Sequence, residues 1–119
     1  MIETADALNN LADILTVPHL DGIYVGPSDL SISLKGGQPA DPSDPQLQEA
    51  LDTIITTAKK HGIPAGIHTG SPEQAIDMIG RGYQLVTISS DAGFLGLQAN
   101  RAVAQVKNET SQEQSSSPY

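Results

Sequence analysis

The chain has 119 residues, 38% hydrophobic and 17% charged, a length that favours one domain with enough apolar matter for a core. Six basic residues against fourteen acidic ones give a formal charge of −8, with aromatics at only 3%, which argues against partners that present phosphate backbones or bases to stack. Cysteine is absent, which removes disulfides, thiolate zinc sites and cysteine nucleophiles; with no apolar run near the ~20 residues of a membrane span and no signal-type opening, a soluble cytoplasmic protein is expected.

Met1-Ile2-Glu3 reads as the end of a strand. Only two residues precede Glu3, whereas strands run to about five or six, so the chain is expected to open inside a strand. Thr4 caps a helix through about Leu15, with Leu8, Leu11 and Leu15 on one face. Gly22-Ile23-Tyr24-Val25-Gly26 follows as a buried strand, and then a turn from Leu30 to Leu34. Pro45 behind Ser43 and Asp44 opens the clearest helix, whose Leu47, Ala50, Leu51, Ile54, Ile55 and Ala58 form one stripe. Lys59, Lys60 and His61 suit its C-terminal dipole, and Gly62 its left-handed cap.

Ile63 to Thr69 is the next strand. Ser71-Pro72-Glu73-Gln74 supplies an N-cap, a first-turn proline and a capping-box glutamine for a helix ending near Gly82. Gln84 to Ser89 is a further strand, and Asp91 to Lys107 a last helix with Leu95, Ala99, Ala102, Val103 and Val106 on one face. Residues 108–119, NETSQEQSSSPY, are polar and Ser/Gln-rich and are expected to be a disordered tail. Residues 1–107 are then one α/β domain of four strand–helix units with parallel strands and right-handed crossovers.

Chemistry-bearing residues collect where strands end. Glu3 closes the first strand, and Asp29 lies three residues beyond Gly26. In parallel α/β folds such ends converge on one ligand-binding rim, where two carboxylates can hold a hard divalent cation. Two carboxylates are a weak signal, and the plainer alternatives are Asp29 as the cap of the following turn and Glu3 as an acidic residue favouring a helix N-terminus. Gly26-Pro27-Ser28-Asp29 is more specific: glycine permits close approach, proline fixes the turn, and the amides that follow can face an anion. An ordinary strand-to-helix turn is the alternative. His19 and His61 read as surface residues, His68 as a wall of the rim, and Ser89-Ser90-Asp91 as a helix cap.

Met1-Ile2-Glu3-Thr4, Ala7-Leu8, Asn10-Leu11 and the run Asp21 to Ser31 together resemble the HpcH/HpaI aldolase family of pyruvate/phosphoenolpyruvate-type (β/α)8 barrels. The likeness continues more loosely through Pro64 to Ile67 and Gly82 to Ser90. It implies half of a TIM barrel, the fifth through eighth strand–helix units. It further implies that Glu3 and Asp29 ligate a divalent metal (magnesium, manganese or cobalt), and that Gly26 and Ser28 sit against bound pyruvate. The implied activity is cleavage of hydroxylated 2-oxo acids to pyruvate and an aldehyde. The family's catalytic arginine and histidine belong to the other half, and no residue here matches them. No catalytic residue is therefore assigned, and the chain alone is expected to be weakly active or inactive.

Two other readings remain at this point: a catalytically silent fragment serving as a binding or assembly module, and a small open-sheet α/β binding protein. Four consecutive barrel strands leave two sheet edges, and Val25, Ile67, Val86 and Ile88 are expected to face a missing wall. A homo-oligomer or a partner half-barrel is the corresponding expectation.

Overall fold

The computed structural model describes the backbone of residues 1–115 and the side chains of residues 1–107. It divides into two compact units, Met1–Ile88 and a second beginning at Ser89.

The first unit is built on a three-stranded parallel sheet, β1 (Ile23–Val25), β2 (Ala65–Thr69) and β3 (Leu85–Ile88), in the order β1-β2-β3. Val25 pairs with Ile67, and His68 with Thr87. The strand expected at Met1–Glu3 is reduced to one parallel bridge between Ile2 and Val25. Ile2 N donates to Tyr24 O at 2.8 Å, and Gly26 N to Ile2 O at 3.2 Å. Pairing stops there because Thr4 already caps a helix, its Oγ1 accepting from Ala7 N at 3.0 Å.

The single helix expected from Thr4 to Leu15 is two short ones, α1 (Ala5–Asn9) and α2 (Leu11–Ile14). Asn10 interrupts them at φ −98 and ψ 13. Its side-chain amide donates back to Asp6 O at 2.8 Å, the local competition with the backbone that makes asparagine a poor helix interior. The turn expected at Leu30 to Leu34 is instead the second half of a helix, α3 (Pro27–Leu34), with Gly26 as its N-cap.

α4 (Pro45–His61) and α5 (Pro72–Arg81) follow the sequence closely. Asp44 caps α4 by accepting from Gln46 N, and Ser71 caps α5 by accepting from Gln74 N. Gly62 at φ 69 and Gly82 at φ 107 end them in the left-handed conformation that glycine adopts without strain. The Gln74 side chain does not complete a capping box; its Oε1 accepts from Gly70 N at 2.8 Å.

Alternation along the strands puts Ile23, Val25, Ala65 and Ile67 on one face, where they pack with Ile2, Leu30, Leu47, Leu51 and Ile54 in the core. Val25 and Ile67 are 0% and 1% exposed. The expectation that these two face a missing barrel wall is thus wrong, because they face the helices. The opposite face carries Tyr24, Gly66, His68, Leu85 and Thr87. Tyr83 locks α4 to the sheet: its phenol donates to Leu51 O at 2.9 Å, and burial pushes its pKa above the ordinary tyrosine value. Arg81 ties α5 to α4 through Gln48 at 2.7 Å and Asp52 at 3.1 Å.

The second unit is one helix, α6 (Asp91–Ser115). Gly93 N donates to Ser90 Oγ at 3.1 Å and Phe94 N to Ser90 O at 2.9 Å, the capping role expected of this turn. The backbone of α6 continues past Lys107 through the first part of the segment expected as a tail, whose glutamates and glutamines favour helix. Residues 116–119 lie outside the described residues.

Candidate metal and substrate site

Parallel strands share one direction, so their C-terminal ends lie at one rim. The Ile2–Val25 bridge makes the residues that follow, Glu3 and Gly26, neighbours there. A Cβ at Gly26 would lie 3.2 Å from Glu3 Oε2 and 3.3 Å from Glu3 Cβ. Glycine therefore leaves the space through which the Glu3 carboxylate passes.

Asp29 stands in the first turn of α3, where the helix dipole favours a carboxylate. It does not cap the helix, since Gly26 holds that position. Glu3 does not cap α1 either, because Thr4 does. Neither carboxylate makes a side-chain hydrogen bond or ion pair among the described residues, and no cluster of three or more His, Cys, Asp or Glu suited to a metal occurs among them. Two hard oxygen ligands at one rim suit a magnesium- or manganese-type cation that keeps several positions for water and substrate.

α3 also supplies an anion-facing end. Leu30 N is the first amide to bond back, to Gly26 O at 3.0 Å. Pro27 has no N–H, so the amides of Ser28 and Asp29 have no intrahelical acceptor. The Ser28 side chain is exposed at this end and enters a cavity of about 250 Å³ bounded by α3, α4, α5 and the end of β2. Leu47, Leu51, Ile67 and Met78 make its apolar floor; Ser28 and Gln74 are polar residues of its wall, and His68 borders it from β2 with its side chain on the other face of the sheet. Glu3, Gly26 and Asp29 lie outside that lining, so the rim divides into a carboxylate side and a cavity that meet at Pro27 and Ser28.

His68 is held more firmly than its sequence position suggested. Its Nδ1 is 3.0 Å from Thr87 Oγ1, which is itself 2.5 Å from the Tyr24 hydroxyl. Sequence reasoning missed Tyr24 and Thr87 as the groups in line with His68, and Gln74 as part of the cavity wall, although the alternation of β1 and β3 does put Tyr24 and Thr87 on the face of His68. His19 and His61 are exposed, as expected.

Below the site, Ser31 is buried and its Oγ accepts from Asp41 N at 3.0 Å, anchoring the α3–α4 loop beside the cavity. Hydrogen bonds from the Ser43 hydroxyl and amide hold the Asp41 carboxyl below its ordinary range.

Comparison with known proteins gives this geometry a family. The family model for HpcH/HpaI aldolase/citrate lyase matches residues 1–96. A 2-dehydro-3,6-dideoxy-6-sulfogluconate aldolase of Pseudomonas putida is 33% identical over 118 residues, covering 99% of this chain and 46% of its own. A 2-keto-3-deoxy-L-rhamnonate aldolase of Klebsiella pneumoniae subsp. pneumoniae is 31% identical over 118 residues, again 99% of this chain and 43% of its own. Among solved structures, an HpcH/HpaI aldolase/citrate lyase family protein from Burkholderia cenocepacia superposes with a TM-score of 0.83 at 29% identity, over 89% of this chain and 40% of that one. The chain thus spans less than half the length of these relatives. The family match, the extent of the alignments and the shared fold agree: the chain belongs to the HpcH/HpaI aldolase/citrate lyase family.

Proposed function

We propose that this chain forms the metal- and pyruvate-holding part of a (β/α)8-type aldolase, its strand–helix units corresponding to the fifth through eighth. The reaction class is cleavage of a hydroxylated 2-oxo acid to pyruvate and an aldehyde. The observation that carries the reading is the Ile2–Val25 bridge, which brings Glu3 beside Gly26 at the end of β1, one helical turn before Asp29. Glu3 and Asp29 would hold the metal. When bound, a divalent cation supplies Lewis-acid stabilisation of negative charge on a substrate oxygen.

The chain's own residues do the rest of the binding. Gly26, lacking a side chain, lets a ligand approach the backbone closely, and the Ser28 and Asp29 amides present positive dipole ends to a carboxylate. The Ser28 hydroxyl adds a donor at the mouth of the cavity. No side chain here is assigned to proton transfer at the reacting carbon, so the 119-residue chain by itself is expected to bind better than it turns over. Leu85 and Ile88 are exposed at 61% and 38% on β3, at the edge of the sheet. A second copy or a partner half-barrel covering that edge is part of the proposal, and sedimentation equilibrium tests it.

The test of the site is calorimetric titration of manganese, then pyruvate, into the wild-type chain, Asp29→Ala and Glu3→Gln. Manganese binding should be lost or strongly weakened in both variants, with pyruvate binding lost alongside it. Equal manganese binding by all three proteins would overturn the assignment.

A further inference from the structure

The register of the strands fixes which residues share a face with Glu3. Ile2 bridges Val25, Val25 pairs with Ile67, and Ile67 pairs with Val86. All of these side chains take the helix side, Ile2, Val25 and Ile67 in the core and Val86 packed against it. One position further along each strand, Glu3, Gly26, His68 and Thr87 therefore form a row across the opposite face. His68 pairs with Thr87 in register, its Nδ1 3.0 Å from Thr87 Oγ1. On the same face Tyr24 crosses Gly66 to reach Thr87, with hydroxyl oxygens 2.5 Å apart. A Cβ at Gly66 would meet Tyr24 Cδ2 at 2.8 Å, so the ring crosses there because that residue has no side chain.

Gly26 is the gap in this row. The atoms a Cβ there would meet belong to Glu3 and Met1, Glu3 Oε2 at 3.2 Å among them, so the Glu3 carboxylate leans over the glycine on this face. Neighbouring strands lie about 4.8 Å apart, which puts His68 one strand beyond the gap and about 10 Å along the row from Glu3. Beyond the gap the polar groups of the sheet are His68, Thr87 and Tyr24; none is a carboxylate, and the strands place no lysine or arginine there. Thr87 engages Nδ1 of His68, and Nε2 has no hydrogen-bond partner among the described residues. A ligand hydroxyl both donates and accepts, so it can pair with that nitrogen in either tautomer.

We propose that a ligand held at Glu3 and Asp29 extends across Gly26, over the sheet face away from the helices, where His68 contacts its distal part and selects an uncharged, hydroxylated chain. This rests on the reading of the site given above and names the substrate class within it. Pyruvate is too short to cross the gap, whereas a longer 2-oxo acid reaches His68. A terminal carboxylate would find no lysine or arginine on the strands there, and the net charge of −8 disfavours it further. The cavity floored by Ile67 lies on the other side of the sheet and off this path. Thr87 is a positioning residue, because it acts through the ring it holds.

The experiment titrates the manganese-loaded chain with three acids: pyruvate, 2-keto-3-deoxy-L-rhamnonate with its hydroxylated chain, and 2-oxoadipate, equally long but ending in a carboxylate. The wild type should bind the hydroxylated acid more tightly than 2-oxoadipate. His68→Leu should weaken the hydroxylated acid on the order of tenfold, the scale of one lost hydrogen bond, and leave pyruvate unchanged. His68→Gln, which keeps polar atoms at that position, should recover part of the loss, and Thr87→Val should weaken the hydroxylated acid less while sparing pyruvate. Backbone spectra of each variant show that it is folded. In the wild type, substoichiometric manganese should broaden the His68 ring resonances before the methyl of Met78, which lines the cavity on the other side. An unchanged ratio between the acids in His68→Leu, tighter binding of 2-oxoadipate by the wild type, or earlier broadening of Met78 overturns this proposal and leaves the aldolase reading standing. Failure of the wild-type chain to bind any of the three acids sinks the aldolase reading, and this proposal with it.

Discussion

The two faces of the sheet are built on opposite principles. One face holds Val25, Ala65 and Ile67 against the helices with almost no exposure, so its cohesion is mainly hydrophobic, and its one buried polar side chain, Thr69, donates to Thr87 O. The other holds Tyr24, His68 and Thr87 in a hydrogen-bonded row with a glycine beneath the tyrosine ring. Removing a group from the first face should cost far more stability than removing one from the second. Apolar packing and side-chain hydrogen bonding are thus separated by the two-residue period of the strands.

The sharpest break of that comparison is a pair of truncations one residue apart. Ile67→Ala should destabilise by ~2–5 kcal/mol, the range for emptying a well-packed aliphatic site, a large share of the ~5–15 kcal/mol that holds a domain together. His68→Ala, half-exposed next to it, should cost well under half as much in the same urea titration. Similar costs would remove the distinction between the faces.

The rim supplies the next largest effect. Manganese at about 100 times its dissociation constant should add ~2.7 kcal/mol of stability by mass action. Asp29→Ala should lose that increment, and without metal it should lie only ~0.3–1 kcal/mol below the wild type, the worth of a carboxylate at the α3 N-terminus. An equal increment in the variant would place the metal elsewhere.

Gly66→Ala probes how the two faces meet. The new methyl would press on Tyr24 Cδ2 and on the Leu85 carbonyl, both under 3.0 Å away, and overpacking of this kind costs ~1–3 kcal/mol. The ring of Tyr24 should swing away, and its hydrogen bond with Thr87 should be lost with it. Unaltered stability together with unaltered Tyr24 ring resonances would show that the ring does not cross there.

Acid should produce the smallest change. Asp41 is held below its ordinary pKa of 3.8 by hydrogen bonds from Ser43. Its contribution is therefore present above that value and is lost as pH falls below it through the lowered folded value. Hydrogen exchange at the Ser43 amide should rise in that window in the wild type. In Asp41→Asn, exchange there should not depend on pH beyond its intrinsic chemistry.

Much of the helix-side architecture was legible from residues. Asp44-Pro45 and Gly62 bracket α4, and Ser71-Pro72 and Gly82 bracket α5, because caps, proline and left-handed glycine act locally. The break at Asn10 was not legible, since leucines on either side keep helical spacing across it. The facing of the strands was misread for a related reason. Short apolar runs such as Ile23 to Val25 lack the alternation that distinguishes their two sides. At the rim, the placement of Glu3, Gly26, Ser28 and Asp29 at and just beyond strand ends was legible, because it follows from the order of the elements. The Tyr24–Thr87–His68 row could not, because its register is set by pairing between distant segments.

The central claim is that a divalent cation sits between Glu3 and Asp29 at the end of β1. Manganese is paramagnetic and broadens nearby amide resonances, so substoichiometric addition to ¹⁵N-labelled chain reads its position directly. The account predicts that the amides of Thr4, Gly26, Ser28 and Asp29 broaden first, while those of Thr56, Lys60 and Arg81 persist, and that Asp29→Ala abolishes the pattern. Broadening centred on Asp52 and Asp77, or spread evenly over the acidic surface, would contradict it.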